Sequence, residues 1–560
     1  LLTMLLSNCD EGFKKKMSPT DIIEDFFKKH TTYKAEQEKL DMLFRIIQYV
    51  ERQVVLFDAL EDAAFTDVRD MAGAVTLKQL ELEVIQQKKD AELEKKLKDF
   101  SVLLVLTAHP TQFYPGPVLG IINDLSKALA ENDTAKINIY LQQLGKTPFL
   151  QKQRPTPYDE AISLIWYLEN VFYPAAGRIS AFLKNQFAYV LPQNKSIINM
   201  GFWPGGDRDG NPFVTADITL KVANALRGSI IKCYYLEVRR IKRRLTFKGV
   251  DVILNELEKQ LYDNIFIPGY QTDISKEYIL EELEKIKSII VYQHNGLFLH
   301  LVNNLINKVN VFGLHFASLD IRQESTVHHT VLEAIHGEKY SQLDTEDKIT
   351  FLTHLPDTTI FASYNNSLIQ DTITNLNGIQ QIQKLNGESG CNRYIISQCN
   401  SVLSVIEVYG LFLSCGWKKE SLTVDIVPLF ETIDDLQHAE AIMQTLYNNK
   451  AYKQHLQLRN NRQTIMLGFS DGTKDGGYLM ANYSIYKAKE ALTKISKLHH
   501  IDVVFFDGRG GPPARGGGKT HQFYASMGKN ISNKEIQLTI QGQTVSSNFG
   551  TIDSAQYNIE

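Results

Sequence analysis

Cysteine is scarce in this chain and poorly spaced for pairing: Cys9, Cys233, Cys391, Cys399 and Cys415 are five in number, with no CxxC pair among them. An odd count without close spacing speaks against a disulfide framework and a thiolate zinc site, and points to reduced thiols in a cytoplasmic setting. Long apolar runs are missing too; none approaches the roughly twenty residues that a membrane span needs. The opening residues, LLTMLLSNCDEGF, are apolar but carry neither a basic leader nor a cleavage pattern, so neither export nor a membrane partner is expected. Positive charge is not in excess: the formal net charge is −4, which argues against nucleic acid as a partner and requires any anion site to concentrate its cations locally. No repeat of fixed period is visible, which disfavours a solenoid.

What is present is an ordinary globular composition, 43% apolar and 22% charged over 560 residues, enough for one very large or several ordinary domains. The most informative stretch is Ile501 to Gly518, IDVVFFDGRGGPPARGGG. Val503 to Phe506 read as a strand buried on both faces, and an Arg-Gly loop follows at once. Glycines let backbone N–H groups approach a ligand, while Arg509 and Arg515 offer planar forks suited to phosphate or carboxylate oxygens. Two nucleotide motifs fail here. Pro513 stands where the first glycine of a P-loop ending in Gly518-Lys519-Thr520 belongs, and also where the third glycine of a dinucleotide fingerprint starting at Gly508 belongs. The loop suits a small, multiply charged anion.

Along the chain, Ser18-Pro-Thr-Asp starts a helical region that runs to about Phe100, and LKQLELEVIQQKKDAELEKKLKDF reads as one long charged helix laced with i,i+4 pairs. Val102 to Leu106 then breaks the pattern as a short buried strand that delivers His109. The same signature recurs: SIINMGFWPGG before the loop Asp207-Arg208-Asp209-Gly210-Asn211, VNVFGLHFASLDIRQES with Asp320, Arg322 and Glu324, YIISQCNS, LTVDIVPLFETIDD delivering Glu431, RQTIMLGFSDGTKDGG delivering Asp471 and Lys474, the 501–518 stretch, and IQLTIQGQ. A helix is expected from Thr215 to Phe247; the RRIKRRL near its end complements the macrodipole and is read as a solvated face.

Eight short strands separated by helical sequence predict an α/β fold, a (β/α)8 TIM-type barrel with large helical insertions and helix-dominated overall. The expected divisions are an N-terminal helical region over 1–100, the barrel over 101–545 with insertions at about 215–308 and 325–390, and the start of a further helical region over 546–560. Strand ends should bring His109, Arg322, Glu431, Asp471, Lys474, Arg509 and Arg515 towards one rim. Glu431 and Asp471 suit Mg²⁺ held by one or two carboxylates with water and substrate; a salt-bridge role for them is the competing reading.

Six segments in order resemble the phosphoenolpyruvate carboxylase family: VLTAHPTQ at 105–112, GGDRDGNPFVT at 205–215, LDIRQES at 319–325, VPLFETIDDL at 427–436, GFSDGTKDGG at 468–477 and DGRGGPPARGGG at 507–518. The resemblance implies carboxylation of phosphoenolpyruvate with bicarbonate to oxaloacetate and phosphate, by way of carboxyphosphate and a metal-bound enolate. It implies Mg²⁺ or Mn²⁺ on Glu431 and Asp471. Arg322, Arg509 and Arg515, with Gly510 and Gly511, would hold the phosphate, and His109 with Lys474 would complete the catalytic set. It also implies a cytoplasmic, allosteric homotetramer. The chemistry is consistent with these residues, since the two substrates carry about four negative charges that a divalent cation and fixed cations must meet. Another barrel enzyme acting on an enol phosphate, or a fragment that only binds ligand, are the alternatives.

Some positions depart from the family's pattern. Asp507 stands where many members have histidine, and Ile540 and Gln543 replace acids common in the eighth strand. Family members run roughly half again as long, the additional part contributing arginines on a mobile loop and most of the inhibitor site. These 560 residues alone are therefore expected to show no steady-state carboxylation and to expose apolar area near their C-terminal end.

Overall fold

A computed structural model describes the chain except residues 108–113, 115, 150–154, 188–195, 268–273, 357–363 and 512–516, and the side chain of Gln543. Eight strands, β1 (Ser101–Thr107), β2 (Ile198–Phe202), β3 (Ser318–Glu324), β4 (Arg393–Ser397), β5 (Asp425–Phe430), β6 (Arg462–Gly468), β7 (Asp502–Gly508) and β8 (Glu535–Gln541), close into one barrel in sequence order. Every pairing is parallel, and β1 closes on β8 from Ser101 opposite Glu535 to Thr107 opposite Gln541. All eight apolar runs of the sequence become these strands, which makes the fold a helix-rich (β/α)8 barrel.

The strands form where they do because their apolar residues have two buried destinations. Leu103, Val105, Trp203, Ile395, Val427, Leu429, Met466 and Phe506 meet in one buried cluster drawn from five of the strands and the residue following β2, the layered filling that makes such a barrel a packed core. Strand ends pass into helices through side-chain caps. Thr215 caps Ala216–Lys242, Ser401 caps Val402–Ser414, and Thr432 with Asp435 forms a capping box on Ile433–Asn448. The helix after β6, Ser470–Leu498, is broken at Gly477, whose φ of 79° only glycine adopts without strain.

By compactness the chain divides into Leu1–Arg69 with Tyr114–Gln153, and Asp70–Phe113 with Arg154–Glu560. The first unit packs the long helix Glu36–Val68 against Gly116–Ala130 around Val55, Ala59, Val118, Ile121 and Leu125. The second holds the barrel. Compactness is a different criterion from the helix-to-barrel boundary expected at residue 100.

Two helical expectations need correction. The charged stretch is two helices, Leu77–Gln87 and Asp90–Asp99, because Lys88 turns left-handed (φ 52°) and ends the first. The helix from Thr215 stops at Lys242, short of Phe247. The expected helix start at Ser18 is found, with the Ser18 hydroxyl accepting from the Asp21 N–H. The insertions at 215–308 and 325–390 are helical in their described residues. The last residues form Gln543–Phe549 and Ile552–Ile559, with Val545, Phe549 and Ala555 buried and Phe549 stacked 5.3 Å from Phe172. Exposed apolar side chains are spread along the chain before residue 500, Phe57, Val68, Phe213, Tyr292 and Leu479 among them. All five cysteines are free. Among the described residues no helix is long and apolar enough to cross a membrane.

Candidate active site

Glu431 is the first residue past β5, and Asp471 lies three residues past β6, in the first turn of the helix Ser470–Leu498. Glycine brings these strand ends together. A Cβ on Gly468 would stand 3.2 Å from Glu431 Cα, one on Gly472 would stand 3.2 Å from the Glu431 carbonyl oxygen, and one on Gly508 would meet the Leu467 carbonyl at 3.1 Å. The ends of β5, β6 and β7 therefore close up to a spacing at which an added Cβ would force the neighbouring backbone to give way.

The Glu431 carboxylate accepts one hydrogen bond, from the Gln398 N–H at 3.2 Å. Its pKa is raised, first by burial and then by the nearby charges of Asp471 and Asp209, against the lowering effect of Gln398 and Arg322. Asp471 pairs with Lys474 at 2.6 Å, a pair with both side chains exposed. A buried carboxylate with a single weak partner, made costlier to ionise by the Asp471 charge beside it, forms with Asp471 a donor set that a divalent cation would relieve. Among the described residues no group of three or more acidic, histidine or cysteine side chains converges for a metal; these two would share an ion with water and substrate.

Arg322 lies inside β3, stacked 4.9 Å over the Trp203 ring. Its guanidinium forks onto Asp207 at 2.8 and 3.1 Å and reaches Asp209 at 3.4 Å. Burial opposes its charge, but Asp207, Asp209 and Glu431 outweigh burial and raise its pKa. Backbone bonds from the Arg208 N–H to the Arg322 carbonyl and from the Arg322 N–H to the Gly206 carbonyl fix the 205–211 loop beside it. The sequence marked Asp207 and Asp209 as a charged loop without identifying their partner.

Beneath Trp203 runs a buried network. Asp320, fully buried, accepts from Arg393 at 2.8 and 2.6 Å and from the Trp203 indole N–H at 2.9 Å, and Arg393 also donates to Gln537 at 2.9 Å. None of these four was a candidate from sequence; the available signal was a charge set inside an apolar run.

Arg509 is the first residue past β7. It is 4% exposed, with its guanidinium 4.2 Å over the Phe523 ring and its carbonyl accepting from Thr539 at 2.6 Å. Gly510 follows it, and Gly511 packs so closely on Thr544 that a Cβ would meet its hydroxyl at 2.5 Å. Electrostatic contacts thus group Glu431, Asp471, Lys474 and Arg322, and Arg509 sits at the end of β7 on the Phe523 ring, which in turn meets Phe469. His109 and Arg515 lie outside the described residues.

Comparison with known proteins follows the same segments. The sequence model of the family described as phosphoenolpyruvate carboxylase matches residues 39–265 and 269–560. A phosphoenolpyruvate carboxylase of Nitrosomonas eutropha is 29% identical over 87% of this chain and 60% of its own length. Another, of Gloeobacter violaceus, is 27% identical over 84% of this chain and 58% of its own. The chain spans about three fifths of the length of the relatives it matches.

Proposed function

The chain belongs to the phosphoenolpyruvate carboxylase family, and from that premise we propose that its barrel rim serves the carboxylation of phosphoenolpyruvate by bicarbonate to oxaloacetate and phosphate. A bicarbonate oxygen attacks phosphorus, the bond from phosphorus to the enol oxygen breaks, and carboxyphosphate and the enolate of pyruvate result. Carboxyphosphate then gives phosphate and CO₂, and the enolate carbon bonds to the CO₂ carbon. Both reactants are anions, so the first step needs fixed positive charge aimed at the transferring group.

Glu431 and Asp471 are the residues that would hold a divalent cation; when bound, it would supply a counter-charge for the phosphate and for the developing enolate oxygen. Arg322, braced by Asp207, Asp209 and Trp203, and Arg509, braced by Phe523, would present the forks that hold the phosphate. Lys474 moves charge at the mouth through its tie to Asp471. His109 would take the proton of carboxyphosphate as CO₂ leaves. Exclusion of water would keep the enolate from being protonated to pyruvate. On the same premise the partners are two small anions and further copies of the protein in a cytoplasmic homotetramer.

The observation that carries this reading is the convergence of Glu431 and Asp471 at adjacent strand ends, each within electrostatic reach of the other. The test, in the complete protein, is bicarbonate-dependent oxaloacetate formation coupled to its reduction by malate dehydrogenase. Oxaloacetate that needs both substrates and a divalent metal supports it. Bicarbonate-independent release of pyruvate would favour a different enzyme acting on an enol phosphate.

A further inference from the structure

Lys489 and Asp507 form an ion pair at 2.7 Å, with side chains 2% and 1% exposed, and the proposed chemistry gives them no role. Burial of both charges needs full hydrogen bonding to be tolerated, so the third partner is informative. It is Tyr524, whose hydroxyl donates to Asp507 at 2.8 Å and whose ring centroid lies 6.0 Å from the Arg509 guanidinium carbon. Tyr524 is partly buried, and its hydroxyl is held in the neutral form first by burial and then by the Asp507 charge. The Lys489 ammonium rests among the rings of Phe505, Phe523 and Tyr524, at 5.4, 5.4 and 5.9 Å from their centroids. Phe523 also carries Arg509 on its face at 4.2 Å and meets Phe469, two residues before Asp471, at 5.7 Å.

These contacts make a chain of defined polarity. Lys489 fixes Asp507 as an acceptor, Asp507 fixes the direction of the Tyr524 O–H, and the lone pairs of Tyr524 are left for the neighbouring Arg509 guanidinium, 6.0 Å from the ring centroid. Phe523 holds the guanidinium plane and Thr539 holds the Arg509 backbone. We infer that Tyr524, oriented by the Lys489–Asp507 pair, is a positioning residue that sets the aim of Arg509. This rests on the reading of Arg509 as a phosphate holder. It also gives a role to Asp507 and to β8, which the sequence left unassigned.

The test is a double-variant cycle in the complete protein, read as kcat/KM for bicarbonate-dependent phosphate release. Tyr524→Phe removes one oxygen and keeps the ring, so the fold should survive, and its melting temperature is read alongside. In the wild-type background it is expected to lower kcat/KM about tenfold, and in an Arg509→Lys background by less than about twofold, because it acts only through the guanidinium. The fall in melting temperature should be the same in both backgrounds. Calorimetric titration with phosphoenolpyruvate supplies the same cycle in Kd should turnover in the lysine background be too slow to follow. Equal fold-losses in the two backgrounds, or no loss from Tyr524→Phe, would overturn the positioning role. Full activity in Arg509→Lys alone would instead overturn the underlying reading of Arg509, so the two failures are separable.

Discussion

Asp320 and Glu431 are carboxylates on adjoining parts of one barrel, and they are treated in opposite ways. Asp320, within β3, has both oxygens filled, by two nitrogens of Arg393 and by the Trp203 indole, and no solvent reaches it. Glu431, one residue past β5, has a single backbone donor at 3.2 Å and the repulsion of Asp471 beside it. Burial raises the pKa of both. In the interior a bidentate cation and an indole N–H oppose that cost by direct contact; at the rim only one long backbone bond and the more distant Arg322 charge do so, and Asp471 adds to it, which is the condition of a group meant to receive a charged ligand.

The sharpest way to break the interior arrangement is Arg393→Met. Asp320 would lose its cation while fully buried, and stability should fall by about 3–5 kcal/mol in denaturant titration. Adding Asp320→Leu should recover most of that loss, because the orphaned charge goes with it. A double variant as unstable as the single one would show that packing, and not charge pairing, is what Arg393 supplies.

At the rim the expectation reverses. Glu431→Gln should lower kcat/KM by about a hundredfold or more, equivalent to about 2.7 kcal/mol, while leaving the melting temperature unchanged or higher, since a costly ionisation has been removed. A lowered melting temperature with activity preserved would move Glu431 into the same structural class as Asp320.

Histidine extends the contrast to pH. Burial depresses His328 to about 3, with Arg208 adding to the effect; His455 to about 3, with Arg459 adding; and His315 to about 4, with Lys276 adding. A depressed histidine contributes stability that is complete above its unfolded value near 6.5 and is lost as pH falls toward the folded value. Stability should therefore decline from about pH 6.5 to about pH 3, by up to about 1.4 kcal/mol per pH unit for each histidine. His328→Gln should flatten that slope. An unchanged slope in the variant would mean His328 is not buried neutral.

The smallest effect is expected at the capping box under the rim. Asp435 accepts from the N–H groups of both Thr432 and Glu431, and Thr432 accepts from Asp435 N–H. Thr432→Ala should cost about 1 kcal/mol of stability. If it also weakens metal binding, the cap helps aim Glu431; if it does not, the strand end alone suffices.

The strands were legible because each is a short apolar run too brief for a helix, and the rim carboxylates because each follows closely on such a run. The helix break at Lys88 was not, since lysine is a good helix former and nothing local marks its left-handed turn. The partners of Arg322 and Arg509 were hidden for another reason. Asp207 lies 115 residues from Arg322, and Lys489 and Tyr524 come from helices whose sequences carry no motif. Their roles are created by tertiary contact. The same holds for Arg393 and Gln537, whose strands pass for apolar filling until the barrel closes and brings them together.

The central claim is that Glu431 and Asp471 together form the metal site. Manganese binding followed by electron paramagnetic resonance tests it without reliance on turnover. In the wild-type chain one Mn²⁺ site should be seen, and Glu431→Gln and Asp471→Asn should each weaken it by about a hundredfold or more while circular dichroism stays native. Undiminished Mn²⁺ affinity in both variants would contradict the assignment and place the cation elsewhere.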